Sequence, residues 1–224
     1  MANLFIFGCS YCNDYKSIQK FGKGAGGQYD YLQWWKNKYQ TEPIHFQDEI
    51  KNNFGLSTIY NYARGGYDNY SILESVMKHY NEIKKNDYVI VGWSDITRFR
   101  RVGYNKQNNP YWQVHYINEE ESVWQEQSFD RDNQLVMNEL NTWTEYLKKT
   151  LPSKSLFWST FHTNAKNLSF QTYMHEDIVN DLKKEPTITY DTNGEVSDNH
   201  WSTDGHKQVG KWLSYQITQI ETIL

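Results

Sequence analysis

The strongest constraint in this sequence is an event that repeats along it. A short apolar or β-branched run stops at glycine or a small polar residue, and a helical pattern follows. Leu4 to Phe7 is such a run, closed by Gly8, with Ser10 just beyond it. Ser57 to Ala63 runs into Gly65 and Gly66, after which Asp68 or Asn69 can cap a helix whose Ile72, Leu73, Val76 and Ile83 recur at helical intervals. Tyr88 to Gly92 is the most apolar stretch of the chain and ends at Trp93, Ser94 and Asp95. Continuous apolar runs of this length suit strands buried on both faces, as in a parallel sheet covered by helices. The expected fold class is therefore α/β, a three-layer α/β/α sandwich, flavodoxin-like in layout, with a mainly parallel sheet of about five strands.

The remaining pattern fills in that layout. Glycines between Gly22 and Gly27 mark a loop, and Tyr29 to Tyr39 carries aromatic residues at helical spacing. Ile44 to Phe54 reads as a helix, Asp132 to Leu147 as a long amphipathic helix, and Ser155 to Phe161 as a fourth strand. Ile178 to Leu182 suggests a helix and Thr187 to Tyr190 a short fifth strand. Thr203 to Ile223 is a helix carrying Val209, Trp212, Leu213, Ile217 and Ile220. Residues from 103 to 130 show no stable period and read as an insertion or long loop within one domain spanning residues 1–224.

Composition narrows the classes of function. Aromatic residues make up 17% of the 224, including nine Trp and eighteen Tyr, enough to build a large core. A net charge of -4 leaves no surplus of cations to neutralise phosphates, so no nucleic-acid partner is expected. No apolar run approaches the roughly 20 residues of a membrane helix, so no membrane partner is expected either. The first apolar run stops after four residues with no basic region before it, which reads as a strand and not as a secretory signal. The compartment stays open, with a cytoplasmic or virion-associated protein both compatible, and so does the oligomeric state.

In a doubly wound sheet, ligands sit beyond the carboxyl ends of the strands. Four segments fall at strand ends or before helices: Gly8-Cys9-Ser10, Ala63 to Asn69, Gly92-Trp93-Ser94-Asp95, and Asp198-Asn199-His200. A serine hydroxyl is a weak nucleophile and needs a base, which in turn needs an orienting acid. Ser10, His200 and Asp198 supply those three roles. An Asp two residues before a His can fold back to hold its Nδ1 proton and leave Nε2 free for the serine. The backbone N–H groups of Ser10 and Gly66 are natural oxyanion donors. His206, in the second Asp-x-His of Asp204-Gly205-His206, falls inside the last helix and reads as structural or as a support behind the catalytic residues.

The order of these segments resembles the SGNH (GDSL-like) hydrolases, whose blocks begin with a Gly-x-Ser nucleophile after the first strand and end with an Asp-x-His near the C-terminus. The resemblance spans about residues 4 to 215, and its most specific part is Asp198 to His206. It implies a carboxyl ester hydrolase working through a Ser-His-Asp triad without metal or cofactor, and a small-molecule or carbohydrate ester as substrate. It also places Ser94 where the family has an oxyanion-hole Asn, with Asn69 as an alternative donor, and Cys9 where the family has Asp. Trp93, Arg98 and Trp201 are candidate substrate contacts, although Trp93 also suits the core and the cations Arg98, Arg100 and Arg101 also suit a solvated face.

Two other readings compete. Ser94 in place of Asn suggests a catalytically weakened carbohydrate-binding or structural protein on the same fold. Cys9-Ser10-Tyr11-Cys12 after a strand resembles the glutaredoxin site, where a low-pKa cysteine starts a helix. None of the four prolines sits in the loop that family requires, and no histidine spacing asks for zinc at these cysteines.

Overall fold

The computed structural model describes residues 1–9, 11–14, 44–95, 98–104, 106–107, 110–116, 133–159, 172–173 and 203–223, together with Lys36, Gln40 and Glu42. Strands β1 (Leu4–Gly8), β2 (Ile59–Asn61), β3 (Tyr88–Trp93), β6 (Lys154–Ser159) and β7 (Thr172–Tyr173) form one sheet in the order β2-β1-β3-β6-β7. Every pairing in it is parallel. The chain steps from β1 outward to β2, then returns to the other side of β1 for β3. That reversal makes the β1–β3 boundary the switch point of a flavodoxin-like sheet.

Period-two alternation on buried strands explains the two cores. Leu4, Ile6, Ile90, Leu156 and Trp158 face one side, against Phe46 and Ile50 of α1 (Phe46–Phe54) and Val209, Leu213 and Ile217 of α4 (Thr203–Ile223). Phe5, Phe7, Val89, Val91 and Phe157 face the other, against Ile72 and Val76 of α2 (Asn69–His79) and Val136, Leu140 and Leu147 of α3 (Asn133–Thr150). Both faces of β1 and β3 are buried throughout, so their sequences read as unbroken apolar runs. The three-layer arrangement expected from the sequence is the one observed.

Helix ends follow from local chemistry. Asp68 caps α2 by accepting from Ser71 N–H at 2.8 Å, and His45 caps α1, with Asp48 accepting the reciprocal bond from His45 N–H at 3.1 Å. Gly55 ends α1 in the left-handed region at φ 57°. Gly210 lets α4 approach α1: a Cβ there would stand 2.6 Å from Glu49 Cβ and 2.8 Å from the Phe46 carbonyl oxygen.

Element boundaries shift by a few residues from the sequence reading, and one assignment changes. Overlapping the start of the region read as an insertion or long loop from about 103 to 130, the structure has an antiparallel hairpin, β4 (Arg98–Tyr104) with β5 (Pro110–Tyr116), paired from Arg98 opposite Tyr116 to Tyr104 opposite Pro110, while residues 117–130 lie outside the described residues. The polar residues Arg100, Arg101, Gln113 and His115 interleave with its aromatic and β-branched residues, which hides the apolar period of its strands. The fifth sheet strand is Thr172–Tyr173, too short to leave a pattern. The expected strand Thr187 to Tyr190, the expected helix Ile178 to Leu182, and all but Lys36 of the Tyr29 to Tyr39 helix lie outside the described residues.

Gly210→Ala should force α1 and α4 apart and lower stability by about 1–3 kcal/mol, as overpacking typically does. Urea unfolding measures this, and an unchanged midpoint with an unchanged slope would contradict the close helix contact.

Candidate active site at the switch point

At the carboxyl edge of the sheet, Gly8 of β1 lies in register with Gly92 of β3. The Cys12 side chain packs across both. A Cβ on Gly8 would stand 2.6 Å from Cys12 Sγ, and one on Gly92 would stand 2.4 Å from it and 3.0 Å from Trp158 Nε1. The glycine pair therefore serves close packing of the returning chain. Cys12 N–H donates to the Cys9 carbonyl at 3.0 Å, and Asn61 at the end of β2 donates to the Cys12 carbonyl at 2.8 Å. A cavity of about 10 Å³ remains between Cys9, Cys12, Trp93 and Trp158, near the lower limit for one water.

The second segment is tied to the first and third through main-chain groups. Arg64 N–H donates to the Gly8 carbonyl at 3.1 Å. Gly66 follows with φ 80°, half-buried, and a Cβ built on it meets none of the described residues within 4 Å. Asn69, 6% exposed, accepts from Ser94 N–H at 2.6 Å and donates from Nδ2 to the Ser94 carbonyl at 3.0 Å. Three segments far apart in sequence thus meet within hydrogen-bond reach at the switch point.

The individual candidates divide by position. Gly66, Asn69 and Ser94 belong to this junction. Ser94 is fully buried, and the amide of Asn69 is engaged with its main chain, which leaves the half-buried backbone of Gly66 as the more accessible group. Trp93 is 1% exposed on the α2/α3 side, where its indole N–H donates to Thr144 Oγ1 at 3.0 Å. It is a core residue and not a substrate surface. Arg98 is 8% exposed, not on a solvated face, and its Nη1 donates to the Tyr67 carbonyl at 3.3 Å. That cation braces the Gly65-Gly66-Tyr67 segment from behind.

Ser10, Asp198, His200 and Trp201 lie outside the described residues. The helix that follows the Asp198-Asn199-His200 segment does start on this edge. Asn61 at the end of β2 donates to Gln47 Oε1 at 2.8 Å, which puts the start of α1 at the carboxyl edge. His206 in the first turns of α4 is fully buried, its ring tilted against that of His45 at 4.5 Å and stacked on that of Phe46 at 6.0 Å. His206 is thus committed to packing between the two helix starts. A larger groove of about 410 Å³ runs along β2 and α1 between Asp14, Lys51 and Asn61, and shares Asn61 with the junction.

The cysteines do not have the environment of a redox pair. Both are 1% exposed, and burial, followed by the neighbouring Cys9, pushes the Cys12 thiol well above its ordinary pKa. A thiol-exchange nucleophile needs the opposite, an accessible thiolate. Among the described residues no group of three or more His, Cys, Asp or Glu is gathered to hold a metal ion. Among them, too, no helix is long and apolar enough to cross a membrane.

Two roles were not legible beforehand. Nothing in the local sequence marks Cys12 as the residue that two glycines accommodate, because the contact depends on strand register. The sequence reads Asn69 as a helix cap or an oxyanion donor, whereas its amide bonds both main-chain groups of Ser94.

No protein-family model matches the chain, and no curated protein matches it. Among solved structures, it is similar to the protein YxiM of Bacillus subtilis, with 12% identity and a TM-score of 0.45 over 99% of this chain. The chain spans 57% of that protein's length. It is also similar to the psychrotrophic esterase EstA from Pseudoalteromonas sp., with 8% identity and a TM-score of 0.43 over the whole of both chains. At these levels of likeness neither protein's chemistry transfers to this one.

Gly92→Ala should be severely destabilising, and Cys12→Ala should restore part of the loss, because removing Sγ removes the clash at 2.4 Å. Additive effects in this double-mutant cycle would contradict the packing. In the native protein both thiols should resist Ellman's reagent until the chain is unfolded. Rapid reaction in the folded state would reopen the redox reading.

Proposed function

We propose that this chain is a serine hydrolase that cleaves a carboxylic ester through Ser10, His200 and Asp198, in the manner of the SGNH hydrolases its sequence resembles. The observation that supports this most is the junction at the switch point, where the Gly8, Ala63 to Asn69 and Gly92 to Ser94 segments are joined by the Arg64–Gly8 bond and the paired Asn69–Ser94 bonds. Those are the first three blocks of the sequence pattern, in the place where such sheets bind ligands.

In this reading Ser10 Oγ attacks the ester carbonyl carbon while His200 Nε2 takes its proton. Asp198 holds Nδ1–H and stabilises the imidazolium. Negative charge develops on the former carbonyl oxygen, opposite the N–H groups of Ser10 and Gly66. The C–O bond to the alcohol then breaks as His200 returns the proton to the departing oxygen. Water, deprotonated by His200, releases the acyl group from Ser10 by the same path in reverse. Gly66 suits its part because its open side carries no side chain to block the oxyanion. The substrate in this proposal is a small acyl group on a carbohydrate, with Trp201 beside the base as the aromatic contact.

Hydrolysis of p-nitrophenyl acetate and of acetylated sugars by the full chain tests the proposal. Ser10→Ala and His200→Ala should each lower kcat by about a thousandfold or more, and Asp198→Asn by a similar order, while His206→Ala leaves the chemistry in place. A Ser10→Ala variant with wild-type turnover would overturn the triad.

A further inference from the structure

We infer that Asn69 is a positioning residue that sets the direction of the Gly66 N–H by tying its loop to the end of β3; this rests on the ester-hydrolase reading for its catalytic meaning. The β1–β3 pairing ends at Gly8 and Gly92, so the main chain of Ser94 stands beyond the ladder. Ser94 is fully buried there, and a buried peptide needs partners for both its N–H and its C=O. Asn69 supplies both from one side chain, accepting at 2.6 Å and donating at 3.0 Å. A primary amide presents an acceptor and a donor side by side, as a neighbouring strand would. A carboxylate only accepts, and a hydroxyl is too short to span both groups.

The loop upstream is held at its other points too. Arg64 N–H is fixed to Gly8, the Tyr67 carbonyl accepts from Arg98, and Asp68 is committed to capping α2. Gly66, with φ 80°, sits in the Arg64–Tyr67 turn, which Tyr67 N–H closes by donating to the Arg64 carbonyl at 3.4 Å, so the turn moves as one unit. Its N–H direction is therefore set by the ties on either side. Asn69 makes the tie that reaches the third segment. An oxyanion donor displaced by about 1 Å is enough to cost on the order of a hundredfold in rate.

The test uses the full chain with Asn69→Ala and Asn69→Asp, the second keeping size and acceptor while placing an acceptor against the Ser94 carbonyl. With p-nitrophenyl acetate, kcat should fall by about tenfold to a hundredfold while KM changes less than about twofold. Hydrogen exchange should speed up in peptides covering 64–69 and 92–95 and stay at wild-type rates in α3 and α4. If Asn69→Ala does not fold, Asn69→Asp carries the same two readouts. An active wild type whose Asn69→Asp variant keeps wild-type kcat, or loses only thermal stability, overturns the positioning role and leaves the ester reading standing. A wild type that hydrolyses no ester overturns that reading instead. The tie is then judged by exchange alone, and unchanged protection at 64–69 in Asn69→Asp overturns it.

Discussion

The carboxyl edge of this protein depends on how closely β1 and β3 lie beneath the Cys12 side chain. With Gly8 opposite Gly92 and no Cβ on either, the chain leaving β1 can turn back across both strands and still bury its thiol. That return keeps the Gly8 carbonyl available to Arg64 and the Cys12 carbonyl to Asn61. The β2 end is thereby drawn to the switch point. A side chain at either glycine would push the turn outward, and the main-chain bonds that assemble the junction would lose their partners in a setting where unsatisfied groups cost about 1–3 kcal/mol each.

The same logic of buried main chain governs the third segment. Ser94 follows the end of β3 inside the protein, and the Asn69 side chain bonds both its N–H and its carbonyl. Arg98, placed in the first position of the hairpin, spends its charge on the Tyr67 carbonyl and not on solvent. The junction is thus held at several points: backbone is tied to backbone, to the short amide of Asn69 and to the buried guanidinium of Arg98. Preorganised dipoles of this kind are what an acyl-transfer site requires.

Much of this was visible in the residues alone, for definite reasons. Strands buried on both faces, Leu4 to Phe7 and Tyr88 to Gly92, announce themselves because no polar residue interrupts them. Asp68 is a readable helix cap because its geometry is local. The β4–β5 hairpin was not readable, since its polar and aromatic residues mask the apolar period. Trp93 and Arg98 show the limit at the site itself. Position near a strand end suggested substrate contact, while tertiary packing turned one into core and the other into a brace. Asn69 and Cys12 owe their roles to partners 25 residues away and on paired strands, which no local pattern encodes.

In the proposed reading the junction holds a nucleophilic serine after β1. The most direct measurement is intact-mass and peptide analysis after exposure to a fluorophosphonate, which forms a stable adduct only with an activated serine. One adduct per chain is expected, carried by the peptide that contains Ser10 and absent from the His200→Ala variant. No adduct on the folded wild type, or an adduct on a serine elsewhere in the chain, would contradict it.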